Sequence, residues 1–224
     1  GQTFGEASAR QREGLELLLR LWTETDVEWT GRFRPPLDGV TLQPRPVQTP
    51  HPPVYLAAGS MASAEEAARL GLNLTVTGLS AELDGMPRMR DRFLEVWDEC
   101  GHRHIPRITV LAHVYCAPTS QEARAHLQRY QPPFQSWVIS KKSGLSPEEV
   151  VLPKRFTDFG QSHCPIACGS AQEVLDKICQ LVELMGADRF IFQGDYGGQP
   201  WDKVKASLER FSRSVMPELK AFSL

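Results

Sequence analysis

The stretch Gly59-Ser60-Met61-Ala62-Ser63 is where residue types and spacing point most directly to a ligand. It follows the apolar run of residues 53–58 and leads into an alanine-rich segment that reads as a helix. A turn between a buried strand and a helix aims backbone amides and the positive helix end at one point, the chemistry that holds a phosphate. Gly59 lets the backbone approach such an anion closely. A structural role competes with this one. Ser63-Ala-Glu-Glu66 fits a capping box in which the Ser63 hydroxyl caps the helix and Glu66 reaches back to the Ser63 amide. A Gly-Ser turn is a weak motif by itself, so both roles stay open.

Other candidates are weaker. His113 falls on an apolar run, residues 108–116, on the face of Thr109, Leu111 and Tyr115. It could face a cofactor, but a half-buried histidine satisfied by a neighbour is the simpler expectation. Asp195 lies just past the last strand, where barrel enzymes place functional groups, while Gly197 and Gly198 favour a solvated turn carboxylate equally well. His102 and His104 read as surface residues beside Arg103. Cys164 and Cys168 could begin a metal site, yet only His163 is near, so two small buried residues flanking a short strand is the reading and no metal is expected. Neither a Gly-x-Ser-x-Gly elbow nor a His-Glu-x-x-His pair occurs, so no residue can be assigned a catalytic role by motif.

The elements that must position these residues follow from periodicity. Leu15, Leu18, Leu19 and Trp22 predict one helix face, and a second helix over 63–70 ends at Gly71. Met89, Phe93, Val96 and Trp97 predict a third, closed by Gly101. Val174, Ile178, Leu181, Val182 and Met185 predict a fourth, closed by Gly186. A last helix carries Trp201, Val204, Leu208, Phe211 and Val215 and is expected to stop at Pro217. Four strands, near 54–58, 72–77, 107–116 and 189–193, are each followed by a helix, the order of parallel βα units, with no hairpin signal. The proline-rich residues 31–53 and a long excursion, Gln131 to Ser162, do not fit this alternation. The excursion is a candidate lid, or a surface insertion that touches no ligand.

Composition narrows the function classes. With 27 acidic against 25 basic residues, a formal net charge of −2 and no basic stripe, nucleic acid is not an expected partner. No apolar run reaches the roughly 18 residues of a membrane span. Five scattered cysteines argue for reduced thiols and a cytoplasmic setting. The chain begins at Gly1 without a methionine, as a processed product or an excised piece would.

From Gly31 onward, "GRFRPPLDGVTLQPRPVQTPHPPVYLAAGSMASAEEAARLG" resembles the bacterial-luciferase-like flavin-dependent monooxygenases: a Gly-aromatic pair, Pro-x-Pro-x-Gln, then a Pro-Pro start to a strand entering a small-residue turn. The segments "EGLELLLRLWT" and "GADRFIFQGDYGGQPWDKVKASLERFSRSVMPEL" are similar to the family's fourth helix and its last strand and helix. The resemblance implies an α/β fold of the (β/α)8 TIM-barrel family, with residues 1–224 as one N-terminally incomplete luciferase-like domain supplying strands five to eight, about the C-terminal half to two-thirds. It implies that Gly59, Ser60, Met61 and Ser63 hold the flavin phosphate. The implied activity is oxidation of a small organic substrate with oxygen and reduced FMN supplied by a separate flavin reductase. A deazaflavin-dependent oxidoreductase, or a non-catalytic flavin-binding partner subunit, are the alternatives. Half a barrel leaves an open apolar face, so a homo-oligomer is expected.

Overall fold

The computed structural model describes residues 6–78 and 83–221. The chain divides into two compact units, Gly1–Val54 and Tyr55–Leu224. The first holds helix α1 (Ala7–Thr23) and a short antiparallel pair, β1 (Val27–Trp29) and β2 (Leu37–Val40), in which Val27 faces Val40 and Trp29 faces Leu37. Strands of three and four residues are too short to show alternation in sequence, which is why no hairpin was expected here. The expected face of α1, Leu15, Leu18, Leu19 and Trp22, is only half-buried. The buried residue is Leu17, packed with Val27 and Trp29 and joined by Leu21 and Leu37. Glu13 of α1 accepts hydrogen bonds from the amides of Arg32 and Phe33 at 2.9 and 3.0 Å, tying the loop after β1 to the helix.

The second unit contains β3 (Tyr55–Ala58), α2 (Met61–Arg69), β4 (Asn73–Thr77), α3 (Met86–Glu99), β5 (Ile108–Cys116), α4 (Ser120–Ser143), β6 (Ala167–Gly169), α5 (Ala171–Met185), β7 (Arg189–Gln193), α6 (Trp201–Ser214) and α7 (Met216–Ala221). Every strand pairing in it is parallel. β3 pairs with β4, β4 with the start of β5, and β7 lies along the other side of β5 from Thr109 to His113. β6 pairs with the last three residues of β5. All four strands read from the sequence are present within a residue, and β6 is a fifth.

Alternation along β5 divides the interior. Val114 and Cys116 pack with Val174, Ile178 and Val182 of α5 and with Phe190 and Phe192 of β7. Tyr115 belongs to a different cluster, with Ala123 and Leu127 of α4, Phe159, Ile166, Cys168 and Tyr196. Thus α4 covers the face of β5 that carries His113 and Tyr115, while α5 covers the opposite face.

The expected stripes on α3 and α5 are buried, and Gly71, Gly101 and Gly186 end their helices with φ of +65°, +68° and +54°. Pro217 does not end the last helix: α6 stops at Ser214, and Pro217 is the second residue of α7, where a missing amide costs nothing. The excursion also differs. Its first part, residues 131–143 with Pro132 and Pro133, is the end of the 24-residue α4, which terminates at Gly144 with φ +77°. Two prolines inside a helix each remove an i→i−4 bond, so sequence reasoning broke the helix there. The buried side chains Leu127, Gln131 and Gln135 on one side of α4 hold it together across the prolines. Residues 141–149 form the longest continuously exposed stretch of the excursion, and Phe156 and Phe159 anchor the chain beyond it in the interior.

Candidate functional site

The turn after β3 is built from two serines. Ser60, in extended conformation at φ −155°, is the N-cap of α2, and its Oγ accepts from the Ser63 amide at 3.3 Å. Ser63 Oγ in turn accepts from the amides of Gly59 and Ser60 at 3.1 and 3.0 Å and donates to the Ser60 carbonyl at 2.8 Å. The capping box is therefore Ser60 with Ser63, three residues earlier than the expected Ser63 with Glu66. Both pairs have the required spacing, and the earlier one wins because the strand ends at Ala58 and the helix starts at once. Gly59, Ser60, Met61 and Ala62 are all exposed. The Met61 and Ala62 amides, at the first two helical positions, meet no acceptor among the described residues. Two hydroxyls and these amides thus face solvent at a positive helix end, with no side-chain charge of their own.

A second turn of the same type follows β6, and sequence reading passed over it. Ser170 caps α5, and the N3 residue is Glu173, whose carboxylate accepts from the Ser170 amide at 2.8 Å and the Ser170 hydroxyl at 3.0 Å. Ser120 donates a short hydrogen bond to the same oxygen, and Arg124 pairs with the other at 3.1 Å. Burial pushes the Glu173 carboxyl up, but the bonds from Ser120 and Ser170 and the Arg124 charge outweigh it and hold the group below its ordinary value.

His113, on the α4-covered face of β5, is 1% exposed. Its Nδ1 lies 3.1 Å from Gln131 Oε1 and 2.9 Å from Gln131 Nε2, and its ring stacks on Tyr196 at 4.7 Å and 10°. Burial lowers its pKa to about 4 against hydrogen bonds from Gln131 and Gln193, so the imidazole is neutral at pH 7. This is the satisfied, buried histidine rather than an acid or base open to a ligand. One turn away along α4, His126 stacks on Tyr115 at 3.8 Å and bonds Gln199 at 2.8 Å. Asp195 is exposed and accepts from the Gly197 amide at 2.8 Å, which is the solvated turn role. His102 is not a plain surface residue: its Nε2 bonds the Ala68 carbonyl at 2.7 Å, and its ring packs on Trp97. Cys164 and Cys168 are buried, and no cluster of potential metal ligands occurs among the described residues.

Between α4 and the loop after β7 lies a cleft of about 250 Å³, lined by Arg129, Tyr130, Phe134, Trp137, Tyr196 and Gly197. The i, i+4, i+7 spacing of Tyr130, Phe134 and Trp137 could have shown this row in sequence, but it straddles the paired prolines.

A family model described as luciferase-like monooxygenase matches residues 1–189. The chain belongs to the luciferase-like monooxygenase family. It is 29% identical over 227 residues to the oxygenase component of a flavin-dependent trigonelline monooxygenase of Acinetobacter baylyi, covering 97% of this chain and 62% of the relative. It is 28% identical over 225 residues to an F420-dependent glucose-6-phosphate dehydrogenase of Intrasporangium calvum, covering 97% of this chain and 63% of the relative. The crystal structure of monooxygenase RslO1 from Streptomyces bottropensis matches with a TM-score of 0.71 at 25% identity, over 97% of this chain and 63% of that one.

This luciferase-like chain therefore spans about 62% of the length of the trigonelline relative, and its parallel sheet is part of a TIM-barrel-type fold. Relatives named for FMN and for F420 both occur. No helix among the described residues is long and apolar enough to cross a membrane.

Proposed function

We propose that this chain is part of a flavin-dependent monooxygenase in which the turn at Gly59, Ser60, Met61 and Ser63 holds the phosphate of FMN. The observation that carries the reading is the exposed, uncharged helix start between Ser60 and Ser63. The hydroxyls of both serines and the amides of Met61 and Ala62 suit a phosphate, and rotation of the Ser63 hydroxyl away from the Ser60 carbonyl turns a donor toward the anion. Reduced flavin, when bound, supplies the electrons with which oxygen is activated for transfer to an organic substrate. The chain's share is to fix the phosphate, keep water from the carboxyl end of the sheet and shape the substrate space. The relative that is an oxygenase component supports a separate flavin reductase as partner. The five free cysteines suit a reducing, cytoplasmic setting.

The F420-dependent relative, at nearly the same identity as the flavin one, supports a second reading in which the turn holds a deazaflavin phosphate. Titration of the chain with FMN and with F420 separates them. Ser60→Asp sets a carboxylate against the phosphate and is expected to weaken binding of the preferred cofactor on the order of a hundredfold. Unchanged affinity removes the assignment.

A homo-oligomer is part of the same proposal. Each of the outermost strands, β3 and β7, has one neighbour among the described residues, and Ile191 on β7 is 39% exposed. Phe190, Phe192, Phe211, Met216 and Leu219 line an open apolar hollow of about 440 Å³. Unpaired edges and apolar surface of this kind favour association. Light scattering on the 224-residue chain is expected to show a dimer or larger species, and a persistent 25.1 kDa monomer across dilution would contradict it.

A further inference from the structure

Away from the turn after β3, the second unit holds a recess with four aromatic rings in its walls. On α4, Tyr130, Phe134 and Trp137 follow one another along the helix, and Tyr196 stands across from them on the loop after β7. Tyr196 is held rigidly: it stacks on His113, which Gln131 fixes, and it meets Phe134 at 5.8 Å and 43°. Trp137 is the opposite case, with 53% of its surface in water. A large indole left exposed beside other rings is costly unless something covers it, and such residues mark binding surfaces. Gly197 and Gly198, with φ of +87° and +74°, bring bare backbone to the edge of the recess, and an added Cβ at either would meet nothing within 4 Å. There is therefore open room at this wall.

Size and charge indicate the occupant. A volume of about 250 Å³ lies below the roughly 300–1,000 Å³ of sites for drug-sized ligands and suits a single substituted ring. Arg129 is the one charged side chain among the described lining residues. Its guanidinium sits 5.4 Å from the Tyr130 ring centre and forms no ion pair among the described residues. Flat walls select a flat molecule, and an unpaired guanidinium at the rim selects an anionic substituent, preferably one able to take two parallel N–H bonds.

The geometry points to a substrate subsite: we propose that this cleft takes a planar, single-ring organic acid, with its ring against Phe134, Trp137 and Tyr196 and its carboxylate toward Arg129. This deepens the flavoenzyme reading by naming a substrate class, and its role as substrate site rests on that reading. The cleft and the Gly59 turn both lie toward the carboxyl ends of their strands. β3 and β7 are three strand spacings apart, roughly 14 Å at the usual interval, enough to place a cofactor between them.

The test is calorimetric titration of the 224-residue chain, without flavin, using benzoate, benzamide and cyclohexanecarboxylate. Benzoate is expected to bind saturably. Benzamide, flat but neutral, and cyclohexanecarboxylate, charged but not flat, are each expected to bind at least tenfold more weakly. Trp137→Ala should weaken benzoate at least tenfold, and Arg129→Gln should abolish the preference for benzoate over benzamide. Both side chains are exposed, so melting temperatures should stay unchanged and exclude misfolding. Equal affinity for the three probes, or benzoate binding indifferent to both substitutions, overturns the proposal. A parallel FMN titration keeps the two readings apart. FMN affinity untouched by Trp137→Ala supports separate sites, whereas displacement of benzoate by FMN with a shared loss in Trp137→Ala assigns the cleft to the flavin ring and overturns the substrate class. Benzoate selectivity without FMN binding leaves the cleft standing and removes the flavin reading.

Discussion

The turns after β3 and β6 share a plan and differ in the charge of the residue that closes it. Both end a parallel strand with Gly-Ser, both use that serine as N-cap, and both close a capping box with the third helical residue. After β3 that residue is Ser63, which is neutral. After β6 it is Glu173, whose carboxylate fills the position an external anion would take and is held there by Ser120 and Arg124 of α4. The helix dipole and the free amides are alike in the two places, so neither predicts a phosphate site by itself. What decides is whether the protein supplies its own anion. One turn is neutralised from within and serves packing. The other carries no acidic residue in its first helical turn, which is what the proposed phosphate role requires.

Copying the second turn into the first is the strongest test of that contrast. Ser63→Glu places a carboxylate at the N3 position of α2, in the space assigned to the phosphate. Two unit charges about 4 Å apart at an effective dielectric of about 20 repel by about 4 kcal/mol, so FMN affinity should fall by several hundredfold or more. Stability should hold or rise, because Ser-x-x-Glu is itself a favourable capping box. A variant that binds FMN as the parent does would break the comparison.

The plug in the second turn depends on α4, and α4 is held to β5 by His113 with Gln131 and by Tyr115 with His126. Acid should loosen this contact. Burial lowers the pKa of His113 from 6.5 to about 4, so between those values the unfolded chain takes up a proton that the native state refuses. Stability is then full above pH 6.5 and falls as pH drops toward 4, by up to about 3 kcal/mol. Urea unfolding at pH 7 and pH 4.5 measures it, and His113→Gln should flatten the dependence. An equally steep fall in that variant would place the effect in other groups.

Four strands were legible as short apolar runs, and the α3 and α5 stripes because each carries a helical period closed by a glycine. Gly101 and Gly186 behave as the sequence suggests. The capping register at Ser60 was missed because Ser60-x-x-Ser63 and Ser63-x-x-Glu66 are equally spaced, and only the end of β3 at Ala58 chooses between them. The second Gly-Ser turn was missed because β6 is three residues long, too short to announce a strand. The aromatic cleft was hidden by Pro132 and Pro133, which read locally as a break although buried Gln131 and Gln135 carry α4 across them. The signals lost were those set by tertiary contacts rather than by local pattern.

The smallest expected effect comes from emptying the plug. Glu173→Ala removes the side-chain half of the α5 capping box and leaves Arg124 and Ser120 without their shared carboxylate. Loss of a cap with charge-assisted bonds costs about 1–2 kcal/mol, or a melting temperature lower by roughly 3–6 °C at pH 7 for a chain of this length. The sign with pH is fixed by the depressed carboxyl. Its contribution is present above the ordinary value of 4.5 and disappears as pH falls through the lower folded value, so the gap between parent and variant should close under strong acid. Paired melting curves across that range give the answer. A gap that persists at low pH would mean that Glu173 acts by packing rather than by charge, and the two turns would then differ in shape instead of in who supplies the anion.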